Sequence, residues 1–384
     1  MRKVVVIHYS EIGVKGKNRE WFERKLLQNL RTALKGKVRR VYRRHGRIVC
    51  ELGESFDKEE LIRKLRKIPG VRYFLFGAAC KLEISEIKKV ALDLVRDKSF
   101  QTFKVETKRS NKEFPLTSME VNRVIGELIS SKLKKEVKLK NQDLTLWIEI
   151  CEKEAFLCTE RYEGIGGLPV SCSGKVVSLI SGGIDSPVAS FLFMKRGCKV
   201  IFVHFWNETI TTRASLSKVK EIAKKLNEIQ LKSKVYLVPF KEIQREIVKK
   251  IPSKYRMLIY RRIMMKIANQ IAKREGALGI VTGDSLGQVA SQTLENLNCI
   301  YDASDLPVFT PLIGMDKEEI IKISKFIETY DLSILPSEDC CSFMIAPHPE
   351  TKGDIEMLRE FEGMIENLEE LIDRALEDVE ILEL

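Results

Sequence analysis

The chain reads as an α/β protein in two parts: a ferredoxin-like opening and a doubly wound parallel sheet in the second half. Three observations predict this. From Lys175 onward, short apolar runs alternate with helical patterns, as a parallel sheet with crossover helices requires. The opening of the chain follows a β-α-β order. Between the halves, residues 163–174 (EGIGGLPVSCSG) concentrate Gly, Pro and Ser and read as a linker.

The first expected strand is 3–8, and about 37–51 also reads as strand. An amphipathic helix near 18–35 separates them, carried by Trp21, Phe22, Leu26, Leu27, Leu30 and Leu34. VYRRHGRIVCEL alternates basic and apolar residues, as a half-exposed strand does. A helix near 57–68 leads through Pro69-Gly70 into a strand at 71–79. A helix near 84–98, a strand from Thr102 and a helix introduced by Pro115 and Ser118 follow. VKLKNQDLTLWIEICEKEAFLCTERY reads as a strand pair linked at Asn141-Gln142-Asp143, residues of turn chemistry. In the second half, strands are expected at 175–180, 198–205, 234–239 and 278–282. Helices are expected at 186–196, 215–230, 241–250, 256–275 and 286–297, with a short apolar PVFTPL behind them. The acidic end, 353–384, reads as helical.

The 384 residues suffice for two or three domains, and 44% hydrophobic content is ordinary for a globular chain. No apolar run approaches the roughly 20 residues of a membrane span. The run Val4–Ile7 is too short for a signal-peptide core, so a cytoplasmic protein without membrane contact is expected. Nine cysteines, an odd number without a CxxC pair, argue against a disulfide framework and a four-thiolate zinc site. Most read as buried small hydrophobes. The net charge of +12 is segregated: residues 1–170 hold 38 Lys+Arg against 23 Asp+Glu, the remainder 28 against 31. That asymmetry favours a polyanion-binding first half over a merely solvated surface.

The chemistry concentrates at GKVVSLISGGIDSPVAS, 174–190. Ser181-Gly182-Gly183 and Ile184-Asp185-Ser186 follow a strand and precede a helix. Ligands bind parallel sheets at such carboxyl ends. The two glycines let backbone approach a phosphate, Ser181 and Ser186 add donors, and the helix aims its positive end at the anion. No lysine stands where a Walker loop needs one, which argues against γ-phosphate transfer. Asp185 beside bound phosphates is most sensibly a ligand for Mg²⁺, direct or through water. The plainer alternative is a tight turn with a capping aspartate.

SGGIDS resembles the loop of the PP-loop ATP pyrophosphatases, which cleave ATP between the α- and β-phosphates and adenylate a substrate. VHFW (203–206), YRRIMMKIA (260–268) and TGDSLGQVASQTLENL (282–297) extend the likeness to the tRNA 4-thiouridine synthetases, the ThiI family of tRNA sulfurtransferases. In the first half, HYSEIGVKGKNREWF (8–22) resembles that family's amino-terminal motif, and FKVETKRSNKEFPLTSMEVNRVIGELI (103–129) resembles a THUMP RNA-binding domain. The resemblance implies a ferredoxin-like domain at 1–55, a THUMP domain at 56–162, the linker at 163–174 and a PP-loop domain at 175–384. It implies ATP contacts at Leu179, Ile180, Ser181, Gly182, Gly183, Ser186, His204, Phe205, Arg261, Arg262, Gly283, Asp284, Gln288 and Gln292. The two glutamines fall one helical turn apart on the expected helix. Expected tRNA contacts are Lys15, Lys17, Lys108, Arg109 and Lys112. The chain departs from some members in ending on an acidic segment where they carry a rhodanese domain.

The implied reaction adenylates O4 of a tRNA uridine at position eight, with ATP and Mg²⁺, and displaces AMP with sulfur. Asp185, Cys340 and Cys341 are the expected catalytic residues. The cysteine pair in PSEDCCSFMIAPHP sits past the last strand, among acids that favour a delivered persulfide over a free thiolate. Cys340 is preferred by its match to the family motif, with Cys341 beside it. The sulfur donor is expected to be a separate protein such as a cysteine desulfurase. An iron–sulfur cluster on this pair and one distant cysteine stays open, without support from spacing. A homodimer is expected because one THUMP domain covers little of a tRNA, and the resemblance also implies a side role in supplying sulfur to the thiazole of thiamine. His348, between two prolines, reads as a turn residue. Competing readings are an amide-forming synthetase, which has no need of Cys340 or Cys341, and an RNA-binding scaffold, which has no need of Asp185.

Overall fold

The computed structural model describes residues 1–44, 46–207, 213–336 and 346–384. The chain forms two compact units, Met1–Pro169 and Val170–Leu384. The division falls inside the Gly/Pro/Ser-rich stretch. Gly164 and Gly166 there donate to the carbonyls of Arg72 and Val71 at 2.9 and 2.7 Å, so its first part belongs to the first unit.

The first unit runs β1 (Arg2–His8), α1 (Arg19–Ala33), β2 (Arg40–Arg44), β3 (Arg47–Glu51), α2 (Lys58–Lys67), β4 (Tyr73–Cys80), α3 (Ile84–Val95), β5 (Thr102–Arg109), α4 (Ser118–Leu133), β6 (Glu136–Val137), β7 (Leu144–Ile150) and β8 (Ala155–Glu163). One eight-stranded sheet holds them in the order β2-β3-β1-β4-β8-β7-β5-β6. The stretch expected as strand at 37–51 is a hairpin, Arg44 pairing with Arg47 across its tight end. The expected strand pair around 141–143 is also different. β6 and β7 both flank β5 in parallel, and the hairpin is β7 with β8. Asp143 accepts from the backbone of Gln101 and Thr102, tying its loop to the start of β5.

Alternation splits each strand between two faces. Val5, Ile7 and Phe74 pack with Leu26, Leu30 and Leu65 of the helices, and Phe103, Leu146 and Ile148 pack with Ile87, Val121 and Ile125. The other face carries Val4, Val6, Val49, Leu75, Phe156 and Cys158, all buried. Three strands lie between β3 and β7, about 19 Å in a flat sheet at about 4.8 Å per step. Yet Arg47 on β3 pairs with Glu149 on β7 at 2.9 Å. The sheet therefore coils strongly, closing this face on itself around buried ion pairs. Glu149 also meets His8 at 2.8 Å, and Glu154 takes Arg44 at 2.7 Å together with Arg2.

The second unit runs β9 (Lys175–Leu179), α5 (Asp185–Lys195), β10 (Lys199–Trp206), α6 (Arg213–Gln230), β11 (Lys234–Pro239), α7 (Lys241–Lys250), α8 (Arg256–Glu275), β12 (Ile280–Val281), α9 (Leu294–Tyr301), β13 (Val308–Phe309), α10 (Lys317–Phe326), α11 (Tyr330–Ser333), α12 (Ile355–Gly363), α13 (Leu368–Glu377) and β14 (Glu380–Glu383). The strand order is β13-β12-β9-β10-β11-β14, parallel except for the last strand. The acidic end is thus two helices plus an edge strand, which pairs antiparallel with β11 through Leu237 and Glu380. The order reverses at β9: β10 and β11 lie on one side, β12 and β13 on the other. That is the topological switch point where parallel sheets open a crevice. Long apolar α8 closes the crevice from one side, contributing Ile259, Ile263, Ile267 and Ile271 to the core. No helix among the described residues is long and apolar enough to cross a membrane.

Candidate active site

At the switch point, the loop after β9 is tied into a cradle by its own side chains. Ser186 Oγ accepts from the Ser181 amide at 2.8 Å and meets Ser181 Oγ at 3.1 Å; Ser181 Oγ accepts from the Gly183 amide at 3.2 Å. Lys218, buried on α6, packs beside Gly182: a Cβ there would stand 3.4 Å from two of its carbons. Gly283, after β12, is tighter still, since a Cβ would stand 2.7 Å from the Ser186 amide nitrogen. The segment after β12 and the first turn of α5 thus approach with backbone alone.

Beside this cradle opens a cavity of about 570 Å³. Leu179, Ile180, Ser181, Gly183, Asp185, Ser186, His204, Phe205, Arg261, Gly283, Asp284, Gln288 and Gln292 line it, so most of the expected nucleotide residues converge. Met257, Leu258 and Met264 of α8 give it an apolar wall. His204 is fixed through Nδ1, 2.9 Å from the Ile180 carbonyl. That size and mixed lining suit a small ligand such as a nucleotide.

Two carboxylates organise the polar end. Asp185, at the first turn of α5, takes Lys317 Nζ at 2.7 Å on one oxygen and Gln288 Nε2 at 3.1 Å on the other. Asp284 is 3% exposed. Burial pushes its carboxyl up, but Arg261 with the Tyr301 and Thr282 hydroxyls outweighs this and holds it below the ordinary carboxylate range. Arg261 Nη2 stands 2.7 Å from both its oxygens.

Two expectations need correction here. Arg262 does not face the cavity. One residue along a helix turns the side chain by about 100°, and Arg262 is buried against Glu362 at 2.7 Å and Asp302 at 3.0 Å. Gln288 and Gln292 do not share a helix. Gly287 adopts φ +72° and Thr293 caps a helix that begins at Leu294, so Gln288 lies in the preceding loop and Gln292 in a one-turn 3-10 helix, Ala290–Gln292. They line the same cavity but reach different carboxylates. Lys317 was missed from sequence, though a signal existed. Asp316 and Glu319 form a capping box, which puts a lysine at the positive end of a helix, where the dipole disfavours it. Cys340 and Cys341 lie outside the described residues.

In the first unit, Lys17, Lys108 and Lys112 are exposed and Lys15 is half-buried, its Nζ 5.2 Å from the Phe22 ring. Arg109 donates to the carbonyls of Phe114 and Leu116 at 3.0 Å each, so part of its guanidinium shapes the following loop. The described cysteines are free; burial pushes the Cys50 thiol up to about 12.

Among the described residues, no three His, Cys, Asp or Glu side chains gather where a metal could be held. Asp185 fits Mg²⁺ as a single carboxylate at the cradle, the arrangement in which a nucleotide's phosphates and water supply the other ligands.

Comparison with known proteins agrees with the geometry. The family described as "Thiamine biosynthesis protein (ThiI)" matches residues 171–367, the "ThiI ferredoxin-like domain" 4–74 and the "THUMP domain" 82–160. The chain is 42% identical over 381 residues to the probable tRNA sulfurtransferase of Thermoanaerobacter sp. (strain X514), covering 99% of each. It is 41% identical over 389 residues to that of Thermus thermophilus, covering 97% of this chain and 92% of the other. A crystal structure of a 4-thiouridine synthetase–RNA complex with bound ATP superposes with a TM-score of 0.92 at 35% identity, over 100% of both chains. A Pyrococcus horikoshii Ot3 structure gives 0.67 at 27% identity, over 85% of this chain and 100% of the other. With likeness spanning all three family regions and nearly every residue, the chain belongs to the ThiI family of tRNA sulfurtransferases.

Proposed function

We propose that the chain is an ATP-dependent tRNA sulfurtransferase that makes 4-thiouridine at position eight of tRNA. The observation that carries the reading is the SGGIDS cradle opening into the cavity at the switch point, with Asp185, Lys317 and Arg261 around it. The cradle's amides and serines would bind the phosphates of ATP as substrate, with the apolar wall of α8 against the base. Uridine O4 attacks the α-phosphorus, the bond to the β-phosphate breaks, and pyrophosphate leaves. Lys317 and Arg261 offset the charge that develops on it. Mg²⁺, held by Asp185 and the ATP phosphates, would add to that offset.

O4 is then activated as a phosphate ester. The terminal sulfur of a persulfide on Cys340 or Cys341 attacks C4, and AMP departs with the C4–O4 oxygen. A second thiol, of this chain or an external reductant, takes the cysteine sulfur as a disulfide and leaves the terminal sulfur on the base. A cysteine desulfurase would load the persulfide. Exposed lysines of the first unit, Lys17, Lys108 and Lys112, would hold tRNA phosphates, with a second copy of the chain completing the RNA surface. A side role in thiamine thiazole formation rests on the family description alone.

The test is thiolation of an unmodified tRNA transcript with ATP and a persulfide-loading desulfurase, read as retardation on a mercury-containing gel. Wild type should thiolate. Cys340→Ser should stop thiolation while pyrophosphate release continues. Loss of neither product on replacing both cysteines would remove the persulfide step from the reading.

A further inference from the structure

Asp284 lines the cavity, yet its carboxylate has no capacity left for a ligand. Its Oδ1 accepts from Arg261 Nη2 at 2.7 Å and Gln292 Nε2 at 3.0 Å. Its Oδ2 accepts from Arg261 Nη2 at 2.7 Å, Thr282 Oγ1 at 2.7 Å and Tyr301 Oη at 2.6 Å. A carboxylate offers about four lone-pair sites, and five donor contacts fill them. These donors come from α8, the end of β12, the loop before α9, and α9 itself. One buried anion therefore ties together three elements and the loop that border the cavity.

We propose that Asp284 is a positioning residue: with Tyr301 and Thr282 it fixes Arg261 for the nucleotide and does not itself touch ATP or metal. The hub is set rigidly against the cradle, because Gly283 abuts Ser186 with no room for a side chain. Tyr301 reaches the hub from α9. Its hydroxyl has the carboxylate as acceptor, and burial together with that neighbouring charge pushes its pKa up, so it stays a donor. A guanidinium held this way keeps one geometry between substrate-free and substrate-bound states, which spares the ordering cost at the moment of binding.

The proposal rests on the nucleotide-binding part of the reading above, not on the sulfur step. Its test is therefore equilibrium ATP affinity of the full chain, measured without RNA. Arg261→Ala should weaken ATP binding by about a hundredfold, the worth of hydrogen bonds from a charged donor. Tyr301→Phe, which removes one hydroxyl and no volume of the ring, should weaken it about fivefold. The double variant should bind no worse than Arg261→Ala alone, because Tyr301 acts only through the arginine. Asp284→Asn should behave as Tyr301→Phe does but with a loss of about tenfold or more, again vanishing in the Arg261→Ala background. Additive losses in the double variants would overturn the proposal, as would unchanged ATP affinity in Tyr301→Phe. If wild type binds ATP but releases no pyrophosphate with tRNA, the functional reading fails while the hub remains tested.

Discussion

In Met1–Pro169 three acids go inside. Glu23, Glu149 and Glu154 are buried and paired with arginines, while Lys17, Lys108 and Lys112 stay at the surface. In Val170–Leu384 cations are drawn toward one place. Arg261 enters the cavity, Lys218 is buried against Gly182, and Lys317 meets Asp185. The first unit therefore neutralises its buried acids internally and keeps lysines exposed on a segment of positive net charge, suited to a polyanion of many phosphates. The second, near neutral in sum, gathers its cations around one cavity of about 570 Å³. Net charge reports the partner's class in the first case and nothing of the site in the second.

If that contrast is right, single changes at the cavity should be severe and confined to chemistry. Lys317→Ala should lower kcat for pyrophosphate release about a hundredfold with RNA affinity unchanged; equal loss of RNA binding would blur the division. Gly283→Ala should weaken ATP binding about thirtyfold, since a Cβ must displace the Ser186 amide, a cost of about 2 kcal/mol. Titration with ATP checks it.

Changes at the first unit should be individually small and additive. Replacing Lys17, Lys108 and Lys112 together by Ala should weaken tRNA binding about tenfold and flatten its salt dependence by about 2 in logarithmic slope. ATP affinity should not move. Filter binding at several salt concentrations reads both.

The smallest effect concerns the buried acids. Burial pushes the Glu149 carboxyl up, but His8 and then Arg47 outweigh it and hold it below the ordinary carboxylate range. Glu154 is likewise lowered against burial by Arg44 and Arg2. A carboxylate depressed in the folded state contributes stability above its unfolded value of about 4.3 and loses it as pH falls through the folded value. The thermal midpoint should therefore drop on acidification below about pH 5. Glu149→Gln should lower the midpoint at neutral pH and shallow that fall.

Local motifs were legible in the sequence, and contacts across distance were not. SGGIDS and TGDS each announce a strand end by composition, and residues of both segments line the cavity. The phase of α8 was not readable: Arg261 and Arg262 are adjacent, and only the position of Glu362, 100 residues on, shows which one turns away. The glutamine loop looked helical because Gly287 is one residue in a good helical pattern, and its left-handed φ decides the break. Tyr301 and Lys317 join the site from later elements, Lys317 from 132 residues beyond Asp185. The last strand escaped because four residues, EILE, too short to show alternation and placed at the end of an acidic helical stretch, carry little signal without β11 beside them. In the first unit, the coil of the sheet follows from ion pairs between strands that are not neighbours, which periodicity does not encode.

The central claim is that the cavity adenylates RNA held by the basic unit. The most direct measurement is pyrophosphate release from ATP, with and without an unmodified tRNA transcript, for wild type and Asp185→Ala. Release should require the transcript and fall about a thousandfold in the variant. Tight transcript binding without pyrophosphate, or release indifferent to the transcript, would contradict it.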